Sequence, residues 1–202
     1  MSWIDPRTWG AAELVTAAKM NEIRDSLRAS GGARTTTTPS LVDESEWCYP
    51  ADTTNGVVWR LKYNSGSASA YKWEFVGGAP MYAAVATDET TASAAYVDLA
   101  TVGPSVTVPR AGDYEVDFGA TMWNATGNSN CYTAVKRGAA ATSDNDAATQ
   151  NGVTTAAGVA VSRKIVMTGL AASDVLKLQH KTGGTTGHFI FRWIAVRPVR
   201  VS

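Results

Sequence analysis

Past residue 32 the chain alternates apolar and polar residues with a period of two, and this feature restricts its fold most. The clearest run is 114–122. Tyr114, Val116, Phe118, Ala120 and Met122 point to one side, and Glu115, Asp117 and Thr121 to the other. Comparable runs cover residues 81–87, 95–99, 105–108, 130–136, 160–168, 175–180 and 188–196, separated by loops rich in Gly, Asn, Asp and Thr. No helical periodicity of similar strength follows residue 32. A mainly β chain is expected, with residues 79–202 forming a jelly-roll β-sandwich domain.

The last run is apolar on both faces. Strict alternation places Phe189, Phe191, Trp193 and Ala195 on one face, and Ile190, Ile194 and Val196 on the other, with Arg192 among them. A strand of that kind is buried on both sides. In a two-layer sandwich the second side meets another subunit, a loop or the N-terminal arm. The first case makes Phe189, Ile190, Phe191, Trp193 and Ile194 the expected interface between copies. Burying three such side chains contributes roughly 4–9 kcal/mol before ordering costs.

Residues 1–32 read as a docking arm with a helix. Thr16 is placed to cap it, Val15 and Met20 form a hydrophobic staple, and Met20, Ile23 and Leu27 make one narrow stripe before Ser30-Gly31-Gly32. Isolated helices of about this length are marginal in water. The stripe, with Trp3, Trp9 and Val15, therefore packs on copies of itself, on another protein or on its own β domain. Residues 33–46, with Thr35 to Thr38 before Pro39, read as an extended linker. Residues 47–78 read as a small β unit. Its strands are 57–63 and 71–76; Val57, Trp59, Leu61 and Tyr63 share one face, and Tyr71, Trp73 and Phe75 another. A lone hairpin is barely stable, so Trp47, the next domain or a symmetry mate must cover the aromatic face.

Composition narrows the function. Lys plus Arg and Asp plus Glu both total 18, leaving no basic surplus for a phosphate backbone, so no nucleic-acid partner is expected. No apolar run is long enough to span a membrane. Cys48 and Cys131 lack metal-ligand neighbours and a disulfide spacing, which leaves two buried thiols or one bond. His180 and His188 stand in no recognised catalytic spacing. Glu115 and Asp117 read as the solvent side of a strand, paired with Arg192 or Lys177. Neither an enzyme, a cofactor nor a metal site is expected, although residues 142–147 carry three oxygen donors of the kind calcium takes. The Asn-rich loop beginning at Trp123 suits receptor sugar, through Trp123, Asn124, Asn128 and Asn130. The plainer reading is a polar loop with Trp123 in the core.

Three stretches resemble phage virion proteins. The run from Trp9 through Val15-Thr16-Ala17-Ala18 to Ile23-Arg24-Asp25 and Leu27 looks like the opening of many tail and fibre proteins, with Lys19 departing from the pattern. The run from Trp59 to Gly78 is similar to a segment recurring in minor tail and fibre proteins. Val106-Thr107-Val108-Pro109-Arg110-Ala111-Gly112-Asp113-Tyr114, with Ala172 to Leu178, looks like the jelly roll of trimeric C1q/TNF-like heads. The resemblance implies a tail fibre or minor tail protein, in a virion assembled in the host cytoplasm. It implies a fibre or spike role and a homotrimer; the reading of residues 1–32 as an arm makes other virion proteins the docking partner, and that of the Trp123 loop makes a host-surface glycan the receptor to consider. The alternative is a head fibre, decoration or collar protein docked on the capsid or neck.

Overall fold

A computed structural model of the chain describes residues 35–39, 45–126, 129–150 and 158–202. The chain divides into two compact units, Met1–Ala79 and Pro80–Ser202.

In the first unit, β1 (Glu46–Asp52), β2 (Val57–Tyr63) and β3 (Trp73–Gly78) form an antiparallel meander. β1 was not anticipated as a strand, and it begins on the last residue of the stretch read as linker. It supplies Trp47 and Tyr49 to the aromatic face. Trp47 meets Trp73 edge-on at 5.3 Å and Tyr49 at 5.0 Å, while Trp73 meets Tyr63 at 5.4 Å. Trp47, Trp59, Leu61 and Trp73 are buried, and the indole N–H groups of Trp47 and Trp59 still find acceptors. Trp47 Nε1 donates to Thr35 O at 2.7 Å, and Trp59 Nε1 to Ala79 O at 3.1 Å. The β1–β2 turn is tied by Asp52, whose Oδ1 accepts from the backbone N–H of Thr54 and Asn55. β3 starts two residues later than expected, because Ser67 and Ser69 make local turns that hold the chain up to Tyr71.

The second unit is a two-sheet sandwich. One sheet contains β4 (Met81–Val85), β5 (Glu89–Thr91), β7 (Gly112–Asn124), β10 (Val159–Leu170) and β12 (Gly187–Val201). β12 lies at its centre, between β7 on one side and β4 and β5 on the other, and β10 lies beyond β7. The other sheet runs β6 (Ser105–Thr107), β11 (Val175–Thr182), β8 (Cys131–Arg137), β9 (Ala147–Gln150). From β5 to β8 and from β9 to β12 each strand lies in the sheet opposite to the one before it, β4–β5 and β8–β9 stay within one sheet, and the last strand returns beside the first. This is a jelly roll.

The alternation in β7 places Tyr114, Val116, Phe118, Ala120 and Met122 in the core, where Leu176, Leu178 and Val135 of the second sheet are also buried. The Val-Pro-x-Ala-Gly-x-Tyr stretch has a mechanical role. Tyr114 is buried and its hydroxyl donates to Arg110 O at 2.7 Å. A Cβ on Gly112 would collide with the carbonyl of Arg200 on β12. Residues 95–99 are not the strand expected. They join only through the bridge Val97↔His180, while Asp98 turns its carboxylate to Lys177 and Gln179. β5 and β9 were not anticipated.

Candidate functional site

β7 and β12 position the face of the first sheet that points away from the core. From β7 it receives Glu115, Asp117, Gly119, Thr121 and Trp123, the residues alternate to the core set. Their partners on β12 depend on a bulge. Ile190 pairs with Thr121 and Trp193 with Gly119, so three steps on β12 match two on β7. Phe191 absorbs the extra residue at φ 50.

The bulge corrects the expected faces of this strand. Phe189 is fully buried. It contacts the His180 ring at 4.7 Å and belongs to a core cluster with Leu99, Ala120, Met122 and Cys131. Ile194 is also in the core, as is Arg192. Neither Phe189 nor Ile194 is available to a second subunit. Ile190 and Trp193 lie half-buried on the outer face, and Phe191 is 59% exposed. Tyr82 on β4, also 59% exposed, joins them opposite Ala195. Tyr82 was missed in the sequence, although alternation from buried Met81 marks it.

Trp193 fits against β7 because Gly119 has no side chain. A Cβ there would stand 2.5 Å from Val161 O and 3.0 Å from Trp193 Nε1. Gly119→Ala is therefore expected to cost about 1–3 kcal/mol, read as a lowered urea midpoint with unchanged m.

The apolar patch is flanked by charge. Lys164 Nζ lies 3.0 Å from Glu115 and 3.5 Å from Asp117, and Arg197 pairs with Glu115. Burial opposes ionisation of Glu115, but its bonds from Lys164 and Arg197 outweigh that and hold its carboxyl below the usual range. These partners replace the two anticipated. Arg192 lies inside the sandwich with Glu89, and Lys177 lies on the other sheet with Asp98.

The Trp123 loop is more structural than its composition implied. The Trp123 ring stacks on His188 at 4.5 Å and 9°, and His188 Nδ1 lies 3.1 Å from Asp88. Asn124 is fully buried. Its Oδ1 accepts from Thr185 Oγ1 at 2.7 Å and Thr126 N at 3.1 Å, so it clamps two loops together and offers no amide to a receptor. Asn130 donates to the Tyr132 hydroxyl at 3.1 Å. Asn128 lies outside the described residues, as do the expected docking residues Trp3, Trp9, Val15, Met20, Ile23 and Leu27.

Both cysteines are thiols, Cys131 buried and Cys48 half-buried. Burial pushes the Cys131 thiol up, against a bond with Asn124. In the segment considered for calcium, Asp144 is engaged by Lys181 and by the Tyr96 hydroxyl. Among the described residues no three or more His, Cys, Asp or Glu side chains are grouped to hold a metal.

No protein-family model matches the chain, and no curated protein matches it by sequence. Among solved structures, the Eiger TNF of S. frugiperda is 12% identical with a TM-score of 0.44, over 61% of this chain and 95% of that one. The VP2 subviral particle of infectious bursal disease virus is 11% identical with a TM-score of 0.39, over 79% of this chain and 40% of that one. The isomalto-dextranase of Arthrobacter globiformis T6, complexed with panose, is 18% identical with a TM-score of 0.29, over 79% of this chain and 24% of that one. This chain thus spans well under two thirds of the virus and dextranase chains. At these scores the likeness is one of outline, and the jelly roll is defined by the strand pairing above.

Proposed function

We propose that the chain is a non-enzymatic structural component of a bacteriophage virion. In this reading it is a tail fibre or minor tail protein whose jelly rolls form a homotrimer through the outer face of the β12 sheet. Residues 1–32 dock it on other virion proteins, and the second sheet faces the host surface. One observation carries the association: Tyr82 and Phe191, each 59% exposed, flank half-buried Trp193 and Ile190 on a sandwich whose core is already complete. Aromatic groups grouped on a sheet face mark an interaction surface. Burying them against a second copy contributes about 3–5 kcal/mol per subunit before ordering costs. The flanking set of Glu115, Asp117, Lys164 and Arg197 is charge-balanced, so like copies approach without repulsion. The virion location is supported by the stretches from Trp9 to Leu27 and from Trp59 to Gly78.

Immunogold labelling of particles tests the location. Gold on the tail is the expected result, gold at the capsid or neck supports the head-fibre or collar reading, and unlabelled particles contradict both. Phe191→Asp combined with Trp193→Glu is expected to fold as a monomer and to be missing from particles. Normal incorporation of that variant would remove the proposed interface.

A further inference from the structure

A cleft of about 650 Å³ opens on the outer face of the second sheet. Its floor is Lys136 of β8 with Gln179 and Lys181 of β11. Its walls are residues 94–96 and the loop 139–144, where three successive alanines leave the rim unobstructed.

The floor is pre-organised. Thr142 Oγ1 donates to Gln179 Oε1 at 2.6 Å, and Gln179 Nε2 donates to Asp98 at 3.0 Å. Across the cleft, Asp144 accepts from the Tyr96 hydroxyl at 2.8 Å and pairs with Lys181 at 2.6 Å. The Lys181 ammonium lies over the rings of Tyr96 and Tyr132 at 4.9 and 4.6 Å. Hydrogen bonds from Lys181 and Tyr96 hold the Asp144 carboxyl below its usual range, while burial and Asp144 keep the Tyr96 phenol protonated. Fixed polar groups with perturbed ionisation converging on one cleft are the ordinary mark of a binding site.

One charge is left over. Lys181 and Asp144 neutralise each other and Asp98 is paired with Lys177 at 2.5 Å; the charge of Lys136, cross-strand to Lys177, also reaches Asp98, which leaves three ammoniums against two carboxylates. Asp146, whose charge reaches Tyr96, does not line the cleft. The site therefore carries one ammonium in excess, at Lys136, beside alternating donors and acceptors. A sugar hydroxyl both donates and accepts, so it fits such a lining, and the alanine methyls suit the C–H face of a pyranose. We propose that this cleft binds an acidic saccharide, with Lys136 pairing with the carboxylate of a uronic acid residue. The inference does not depend on the virion reading.

Saturation-transfer NMR on the full chain tests it, with methyl glucuronide and methyl glucoside as probes. The glucuronide is expected to bind at least tenfold more tightly than the glucoside. Lys136→Gln should abolish that preference and Lys136→Arg should keep it, since both substitutions are at a half-exposed position that leaves the core intact. Equal binding of the two probes, no transfer to either, or an unchanged preference in Lys136→Gln would overturn the proposal. Vesicles carrying a glucuronosyl lipid form a second arm. Co-sedimentation with them but no transfer to the soluble glucuronide would assign the surface to a membrane and not to a free glycan.

Discussion

Glu89→Ala is expected to lower the unfolding free energy of the jelly roll by about 3–5 kcal/mol, because it strands a cation in the sandwich. Arg192 is fully buried. Its Nη2 lies 2.8 Å from Glu89 Oε2, and its Nη1 donates to the carbonyls of Thr101 at 3.3 Å and Gly103 at 3.4 Å. Glu89 Oε1 also accepts from Thr101 N at 2.9 Å, so one carboxylate ties the buried guanidinium to the loop beside it. Removing the carboxylate leaves the guanidinium with two long bonds to carbonyls. Removing both charges with Arg192→Met and Glu89→Leu should cost much less than the single change, because no desolvated ion remains. Urea unfolding of both variants decides this; a loss under about 1 kcal/mol for Glu89→Ala would contradict the account of the pair. Burial opposes ionisation of Glu89, but bonds from Thr101 and Arg192 hold its carboxyl below the ordinary range. Its contribution is thus present above its unfolded pKa and is lost as pH falls through the depressed value.

Acid is expected to weaken the sandwich well before its carboxylates titrate. His180 is fully buried between Thr133, its cross-strand neighbour, and the ring of Phe189, and neither ring nitrogen has a hydrogen-bond partner among the described residues. Burial, reinforced by Arg192 and opposed by Asp98, pushes its pKa from 6.5 down to about 3. The unfolded chain therefore binds a proton that the folded chain refuses. Stability from this residue is complete above pH 6.5 and falls as pH drops towards 3. The loss is about 2–3 kcal/mol between pH 6.5 and 4.5. His180→Leu should flatten the curve in that window and leave the steeper loss below it, where Asp98, Asp144 and Glu115 protonate. A native protein whose urea midpoint is constant from pH 6.5 to 4.5 would contradict the prediction.

The parts legible in the sequence are those that alternation alone dictates. Residues 57–63 and 114–122 needed only a period of two, and their core faces follow from it. β12 shows where that rule stops. A bulge usually announces itself with Gly, Asn or Asp at the left-handed position, but here Phe191 holds it, so the faces exchange without a local sign. Pro198 also misleads, since proline argues against a central strand. Here it sits at a second irregularity of the β12–β7 ladder, and the strand continues to Val201. Alternation suggests Glu115 or Asp117 as the partner of Arg192, because its true partner, Glu89, lies 103 positions away. Asn124 looked available for the same reason: the loop it clamps, at Thr185, is 61 positions distant.

Sedimentation equilibrium of the full chain at micromolar concentration tests the self-association claim most directly. Three times the 21.3 kDa chain mass is the predicted result, reduced to one chain mass by Phe191→Asp with Trp193→Glu. A native protein that sediments at a single chain mass, with Tyr82 and Phe191 open to solvent, would contradict it.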